Sequence, residues 1–506
     1  MASAMSEPFY ITTAISYPNG KPHIGHAYEA IAADAMARFR RAQGRDVRLI
    51  TGTDEHGLKM VQTARAQGRD TLEFADEMSG YFREMCHGLN ISYDAFVRTT
   101  EPRHYEASQK IWKAMEANGD LYLDRYEGWY SVRDEAFYDE SELIAGEGGE
   151  KLSPQGTPVD WTVEETWFFR LSKYQDKLLQ LYRDNPDFIR PESRRNEVVR
   201  FVEGGLKDLS VSRTSFDWGV PVPNSPGHVM YVWVDALTTY MTGVGFADDE
   251  ASYDRFWPAD VHLIGKDIVR FHAVYWPAFL MSANLKLPKQ VFGHGFLLAR
   301  GEKMSKSLGN VVDPMELAER YGVDALRYFL LREVSFGQDG SYSNEAIVNR
   351  VNSELANSFG NLAQRSLSMI FKNLGGVIPA AGQAEEDKAL LAQVDEACAS
   401  LEREFDGFAF STGLEAWMTA VFACNAYVDT MAPWALKKSD PERMAAVLGT
   451  LVAAVRKLAV AVQPIVPASA EKLLGLIDSG EGGAPIEQPT PIFPRLELPE
   501  DEEEAA

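Results

Sequence analysis

A doubly wound α/β domain with a parallel sheet, split in sequence by an inserted domain and followed by an all-helical bundle, is the fold predicted for this chain of 506 residues. Three observations predict it. The first fifty residues read strand, turn, helix, strand. From Leu121 to about Val229 the texture changes to short β-like runs rich in aromatics and turns. After Tyr342 apolar residues recur almost everywhere at spacings of three and four.

Taken in order, FYITTAI is a continuous apolar and β-branched run, as expected of a strand covered on both faces. GHAYEAIAADAMARFRRAQG then places Ala27, Ile31, Ala35 and Phe39 one helical turn apart and closes on Gly44 as a C-cap. VRLIT, from Val47 to Thr51, completes a βαβ unit whose parallel strands require a right-handed crossover. In such sheets ligands sit beyond the carboxyl ends of the strands. TLEFADEMSGYFREMCHGLN and EPRHYEASQKIWKAMEANG add two helices, the second ending at Gly119. WYSV, AFYD and the aperiodic loop AGEGGEKLSPQGTP belong to the inserted domain. HVMYVWVDALTTYM and DVHLIGKDIVRFHAVYWPAFL restore strands followed by helices, so the sheet resumes after the insertion. The expected boundaries are 1–120 and 229–300 for the two halves of the sheet domain, and 121–228 for the insertion. A connecting region follows at 301–343, then a helical bundle at 344–497 and an acidic tail at 498–506.

Composition narrows the class. With 45% hydrophobic and 25% charged residues the chain has the make-up of a globular protein that buries its own cores. Cys86, Cys398 and Cys424 are too few and too far apart for a disulfide framework or a four-cysteine zinc site, which fits a reducing compartment. MASAMSEPFY has no basic segment followed by an apolar one, so a cytoplasmic location is expected. The apolar stretch from Ala446 to Val466 is interrupted by Arg456 and Lys457, and reads as a bundle helix with no membrane partner. A net charge of −24 means that any nucleic acid must be held by local basic groups.

Two local patterns carry chemistry. PNGKPHIGHAY turns sharply after the first strand and sets His23 and His26 three residues apart around Gly25, at the start of a helix whose free N–H groups favour an anion. No cysteine or carboxylate stands at ligand spacing beside them, which weakens a metal site; by spacing alone, phosphate handling and a structural turn both remain open. ARGEKMSKSLGN carries Lys303 and Lys306 among Met304, Ser305 and Ser307, with Gly301 and Gly309 as hinges. Such a loop can bring two ammonium groups over a polyanion late in a reaction, although KMSK alone would pass for an exposed basic turn.

PHIGH and KMSKS together resemble the paired signatures of class I aminoacyl-tRNA synthetases. AISYPNG, GTDEHG, YVWVDALTTY, LIGKDIVRFH, NLAQR and APWALKK, in that order, are similar to segments of the methionine-specific family. The resemblance implies an α/β catalytic domain and an all-α anticodon-binding domain, with L-methionine, tRNA(Met) and ATP with Mg²⁺ as substrates. It assigns His23, His26, Lys303 and Lys306 to catalysis, and the same four residues with Gly25, Gly265, Asp267, Met304, Ser305 and Ser307 to ATP. It assigns Ile15, Tyr17, Trp233, Ala236, Leu237, Tyr240, Ile268 and His272 to the methionine pocket, Asp54 to the α-ammonium, and Arg213 to a pairing that supports Asp54. Asn361, Arg365 and Trp434 are implied for the anticodon. Leu237 stands where the family often has proline. Outside that context the aromatics would pass for packing residues and Trp434 for a core tryptophan.

The region from Leu121 to Val229 holds no cysteine, so the paired-cysteine zinc knuckles of many family members are not expected; aromatic contacts alone are expected to hold the insertion, with the loop at Gly146, Gly148 and Gly149 in the knuckle's place. The chain reads to PIFPRLELPEDEEEAA without the extra C-terminal β-barrel that makes some family members dimers, so a monomer is expected. Synthetases for leucine, isoleucine or valine need an editing insertion larger than this one. A catalytically silent tRNA-binding paralogue would not need the histidine and lysine pairs, and a nucleotidylyltransferase would not need the bundle.

Overall fold

The computed structural model describes residues 6–134, 136–299 and 311–498. Two compact units divide the chain: Met1–Pro22 with Arg40–His87 and Ile91–His294, and His23–Phe39 with Gly88–Asn90 and Gly295–Ala506.

The first unit is built on a six-stranded parallel sheet. Its spatial order is Ala95–Arg98, Asp46–Thr53, Pro8–Thr13, Val261–Gly265, Val291–His294 and Ile189–Arg190. Pro8–Thr13 lies at the centre, with Ile11 opposite Leu49 on one side and Val261 on the other. Its residues from Phe9 to Thr13 are buried, which is why it reads as an unbroken apolar run rather than an alternation. From this strand the chain winds outward first through Asp46–Thr53 and Ala95–Arg98, and later the other way through Val261–Gly265 and Val291–His294. The order therefore reverses beside Pro8–Thr13, and the crevice at the carboxyl ends of Pro8–Thr13 and Val261–Gly265 is the place such a sheet offers a ligand. Gly52 lets neighbouring strands approach: a Cβ there would lie 1.9 Å from the Val97 carbonyl oxygen. Helices Pro102–Ala117, Val232–Thr242 and Trp276–Ser282 bury Trp112, Tyr240 and Trp276 in the core that contains Tyr10, Ile50 and Val97.

The expected insertion is not separate throughout 121–228. Ile189–Arg190 pairs in parallel with Val291–His294, so this short strand forms an edge of the main sheet. Two residues are too few to show a strand period in the sequence. What stands apart is an antiparallel sheet of Leu209–Ser210, Asp160–Phe169, Leu121–Ser131 and Ala136–Tyr138. Aromatic contacts alone do not hold it. Trp129 meets Trp161 edge to face at 5.3 Å and Tyr130 lies 4.7 Å from Phe137, but a polar knot works beside them. The Asp134 carboxylate accepts hydrogen bonds from Ser153 (2.5 Å), Thr157 (2.6 Å) and Tyr138 (3.1 Å), and the Ser131 and Thr157 hydroxyls lie 2.6 Å apart.

In the second unit a helical bundle follows the connecting region. Leu297–Ala299 and Gly340–Tyr342 pair as short parallel strands on either side of that region. Pro441–Val462, long and apolar enough to cross a membrane, is the bundle's core helix, with Val447, Leu448, Leu451, Val455, Leu458 and Val462 fully buried or nearly so. Proline opens the Pro433–Ser439, Pro441–Val462 and Pro467–Asp478 helices, where its missing N–H costs nothing.

Candidate active site

In the first unit the loops leaving the central strands converge. Ser16 and Thr53 form a parallel bridge, the Ser16 N–H donates to the Gly52 carbonyl (2.9 Å), and the Asp54 N–H donates to the Ser16 carbonyl (2.9 Å). This clip sets half-buried Ile15 and Tyr17 beside Asp54, which is 7% exposed. The Tyr17 hydroxyl accepts from the Met60 N–H at 3.1 Å. Tyr17 packs with the Met60, Phe74 and Met78 cluster, whereas Trp233, Tyr240 and Ile268 pack in the larger core.

Elsewhere in the same unit, Trp233 stacks on Phe271 (4.0 Å, 7°) and meets His272 edge to face (5.8 Å, 77°). His272 sits in a π-helical turn, Phe271–Tyr275, a departure from α-geometry that recurs at functional sites. Burial drives its pKa down to about 4, so the imidazole is neutral near pH 7. Its Nδ1 lies 2.9 Å from the Ile268 carbonyl oxygen, which can only accept; Nδ1 therefore carries the proton, and Nε2 accepts from the Tyr240 hydroxyl at 2.6 Å. The Tyr10 hydroxyl donates in turn to the Tyr240 carbonyl. His262 is likewise held neutral by burial, accepting from the Trp276 N–H (3.2 Å) and donating to Thr12 (2.8 Å). This cluster is thus aromatic, uncharged and fixed in its tautomers. Ala236 and Leu237 are fully buried behind it, with Leu237 in the core. Asp267 is exposed, and its carboxylate folds close over Gly265: a Cβ at Gly265 would lie 2.7 Å from it, so any side chain there would push the carboxylate away.

Arg213 does not pair with Asp54. It is 3% exposed, donates to the Ser210 and Ser212 carbonyl oxygens, and lies over the rings of Tyr130, Phe137 and Tyr231 at 4.5–5.4 Å. Among the described residues only Nη1 of the guanidinium donates, to Ser210 and Ser212, while the rings around it take the rest of the cation, a local packing effect that spacing in sequence does not reveal.

The residues that brace Asp54 are different ones, and they were not singled out in the sequence. His56 Nδ1 and His104 Nε2 each donate to one oxygen of the Asp235 carboxylate at 2.5 Å, with all three groups buried. His104 Nδ1 lies 2.8 Å from the Thr242 hydroxyl, and His56 Nε2 lies 3.0 Å from the Tyr105 hydroxyl. Burial alone would raise the Asp235 pKa, but the His56 and His104 partners outweigh it and hold it at about 2. Glu55 is fully buried and accepts from Nε and Nη2 of Arg98 (2.7 and 3.0 Å). Asp54 is thus flanked by two anchored neighbours, and Asp235 ties its loop to the helix that carries Trp233 and Tyr240. The available signal was an aspartate inside the apolar run YVWVDALTTY.

In the second unit, His23 and His26 form a ring pair with centroids 3.9 Å apart. The Gly25 N–H donates to His23 Nδ1 and the His23 N–H donates to His26 Nδ1, both at 3.1 Å. With Nδ1 accepting in each ring, the neutral tautomer carries its proton on Nε2, and both residues offer a donor on that side. Gly25 makes the fold-back possible, since a Cβ there would lie 2.9 Å from the His23 ring. The Ile24 N–H donates to the Val312 carbonyl (3.0 Å), which ties this helix start to the chain just past the KMSKS segment. Lys303, Met304, Ser305, Lys306 and Ser307 lie outside the described residues.

The bundle brings Arg365 and Trp434 together, with the guanidinium 5.8 Å from the indole centroid. Asn361, exposed, lies one turn before Arg365 on helix Asn361–Asn373. Trp434 is 52% exposed rather than in the core. Ala432, in the left-handed region at φ 44°, ends the preceding helix, and Pro433 starts a new one that projects the indole outward. Arg365 also reaches Asp429 at 3.4 Å. Among the described residues no group of three or more His, Cys, Asp or Glu is placed to hold a metal ion.

A family model for class I tRNA synthetases (M) matches residues 9–367, and one for the anticodon binding domain of methionyl tRNA ligase matches residues 378–489. A methionine–tRNA ligase of Brucella suis biovar 1 is 58% identical over 97% of this chain and 98% of its own length. One from Rhizobium meliloti is 58% identical over 98% of this chain and 99% of its own. Among solved structures, Mycobacterium tuberculosis methionyl-tRNA synthetase in complex with methionyl-adenylate is similar at a TM-score of 0.93, with 55% identity, 97% of this chain and 100% of that chain covered. The free form of the same enzyme gives a TM-score of 0.87, with 52% identity, 99% of this chain and 100% of that chain covered.

Proposed function

The chain belongs to the methionyl-tRNA synthetase family of class I aminoacyl-tRNA synthetases, and from that premise we infer how its own residues carry out the reaction. It is an enzyme that activates L-methionine with ATP and transfers the methionyl group to the 3′ end of tRNA(Met). In the first step a methionine carboxylate oxygen bonds to the α-phosphorus and the bond to pyrophosphate breaks. In the second a ribose hydroxyl of the tRNA attacks the methionyl carbonyl and AMP leaves. No covalent bond to the protein is needed, so position and charge supply the catalysis.

We propose that the side chain of methionine lies along Trp233, Tyr240 and His272, with Ile15, Tyr17, Ala236, Leu237 and Ile268 shaping the pocket and Asp54 receiving the α-ammonium. What supports this reading is the neutral Tyr240–His272 pair, which is buried beside Trp233 and presents no charge. ATP enters as its Mg²⁺ complex. Gly265 and Asp267 take the ribose, because the carboxylate folds over a backbone with no Cβ. The Nε2 donors of His23 and His26 face the phosphates, and Lys303 and Lys306 stabilise the charge moving onto pyrophosphate. Asn361, Arg365 and Trp434 read the anticodon, with the exposed indole as a stacking surface.

A pair of variants tests this division of labour. Lys306→Ala should slow methionine-dependent ATP–pyrophosphate exchange strongly and leave tRNA affinity unchanged. Trp434→Ala should impair charging of tRNA and leave exchange intact. Equal losses in both assays for either variant would refute the role given to that residue.

A further inference from the structure

Within the second unit, Arg327 is fully buried and every one of its guanidinium nitrogens donates. Nε bonds the Ile465 carbonyl (2.9 Å) and Nη1 the Leu89 carbonyl (3.3 Å). Nη2 bonds the Asp34 carboxylate (2.6 Å) and the Pro464 carbonyl (3.0 Å). Asp34, also fully buried, takes Arg38 Nε at 2.8 Å as well. One side chain thus joins the helix Ile24–Ala42, the Gly88–Asn90 turn and the turn between helices Pro441–Val462 and Pro467–Asp478.

A buried ion pair of this kind is a poor source of stability, because desolvation offsets its attraction and apolar side chains of similar size often serve as well. What it supplies is a defined geometry: a planar fork accepts few arrangements of its acceptors. The helix that carries Arg327, Val323–Glu333, is itself fixed to the bundle. Asp324 accepts from the Ser469 N–H (2.6 Å), and Tyr328 and Arg332 both donate to Glu354 (2.6 and 3.1 Å). Glu354 lies in the π-helical segment Val351–Gly360 that runs directly into Asn361. In the other direction, Asp34 lies eight residues beyond His26, about 12 Å along a rigid helix at 1.5 Å per residue.

We infer that Arg327 is a positioning residue for adenylate formation: by holding Asp34 against the bundle it fixes the helix at whose start His23 and His26 lie. The inference rests on the reading of those histidines as phosphate-handling groups.

The test measures ATP–pyrophosphate exchange on the full-length enzyme, normalised to active sites titrated by the burst of adenylate formation. Arg327→Met should lower kcat per site roughly 10- to 100-fold, as small misplacements of catalytic groups do, with the KM for methionine within about twofold. Arg327→Lys should recover part of the loss. Arg443→Met, which breaks another ion pair of the bundle, with buried Asp387, should leave kcat per site unchanged. In a His23→Ala/His26→Ala background, Arg327→Met should add less than about a twofold further loss, the non-additivity expected of groups acting as a unit. If Arg327→Met yields no titratable sites, Asp34→Asn carries the same expectations. A normal kcat per site, an equal loss in Arg443→Met, or a full additive loss in the histidine-free background would overturn the proposal. Normal exchange in the His23→Ala/His26→Ala enzyme itself would overturn it at its premise, which is a separate and recognisable result.

Discussion

His272, proposed for the methionine pocket, also couples its protonation to stability. Its folded pKa of about 4 lies below the ordinary histidine value of 6.5, so the unfolded chain takes up a proton that the folded one refuses. The contribution is fully present above pH 6.5 and is lost as pH falls toward 4, a change on the order of 3 kcal/mol. His272→Gln should therefore flatten the fall in unfolding free energy between those pH values, as denaturant titrations at several pH values would register; an unchanged slope would show that the imidazole is not held neutral. Asp235 is held in its charged form instead, accepting from two buried histidines, and its contribution is likewise lost as pH falls, from about 4 toward 2. Asp235→Asn leaves His56 and His104 without their common acceptor, and should cost about 3 kcal/mol of stability and raise the KM for methionine, because the Asp54 loop and the Trp233 helix lose their tie. Loss of stability with an unaltered methionine KM would confine Asp235 to packing. Gly25→Ala should lower kcat for exchange without moving the methionine KM, since its Cβ would displace the His23 ring.

Elements whose role follows from local pattern were legible in the sequence, and elements fixed by distant partners were not. The opening strand, the helix Ile24–Ala42 with its Gly44 stop, and the core helix Pro441–Val462 all stand where apolar period and caps put them. The strand Ile189–Arg190 was hidden, because its identity comes from Val291–His294, not from its own two residues. The small antiparallel sheet was legible in part, through the runs WYSV and AFYD, whereas the knot at its turn was not, because it gathers on Asp134, a residue with no motif around it. That knot makes a specific prediction. Asp134→Asn weakens three hydroxyl donors' shared acceptor and should lower the melting temperature of the whole enzyme by a few degrees, for roughly 1–2 kcal/mol. Elemental analysis of the purified enzyme should find no stoichiometric zinc; tightly bound zinc at one per chain would mean that some other group holds the insertion.

At the scale of the whole molecule, fold and chemistry were legible to different depths. The split parallel sheet and the bundle emerged from periodicity, and the paired PHIGH and KMSKS patterns identified the chemistry. The braces of the pocket did not emerge, because His56 and His104 meet Asp235 across 179 and 131 residues of chain. Arg213 shows the same limit in reverse: its motif position suggested a partnership with Asp54, while its surroundings of rings and carbonyls decided otherwise. In the proposed function, an uncharged aromatic site at the reversal point of the sheet selects methionine for activation by ATP. Amino-acid-dependent ATP–pyrophosphate exchange, run with each of the twenty standard amino acids, tests that claim most directly. Methionine alone should support rapid exchange, with leucine, isoleucine and valine lower by roughly a hundredfold or more in kcat/KM. Exchange driven equally well by any of those three, or absent with methionine, would contradict it.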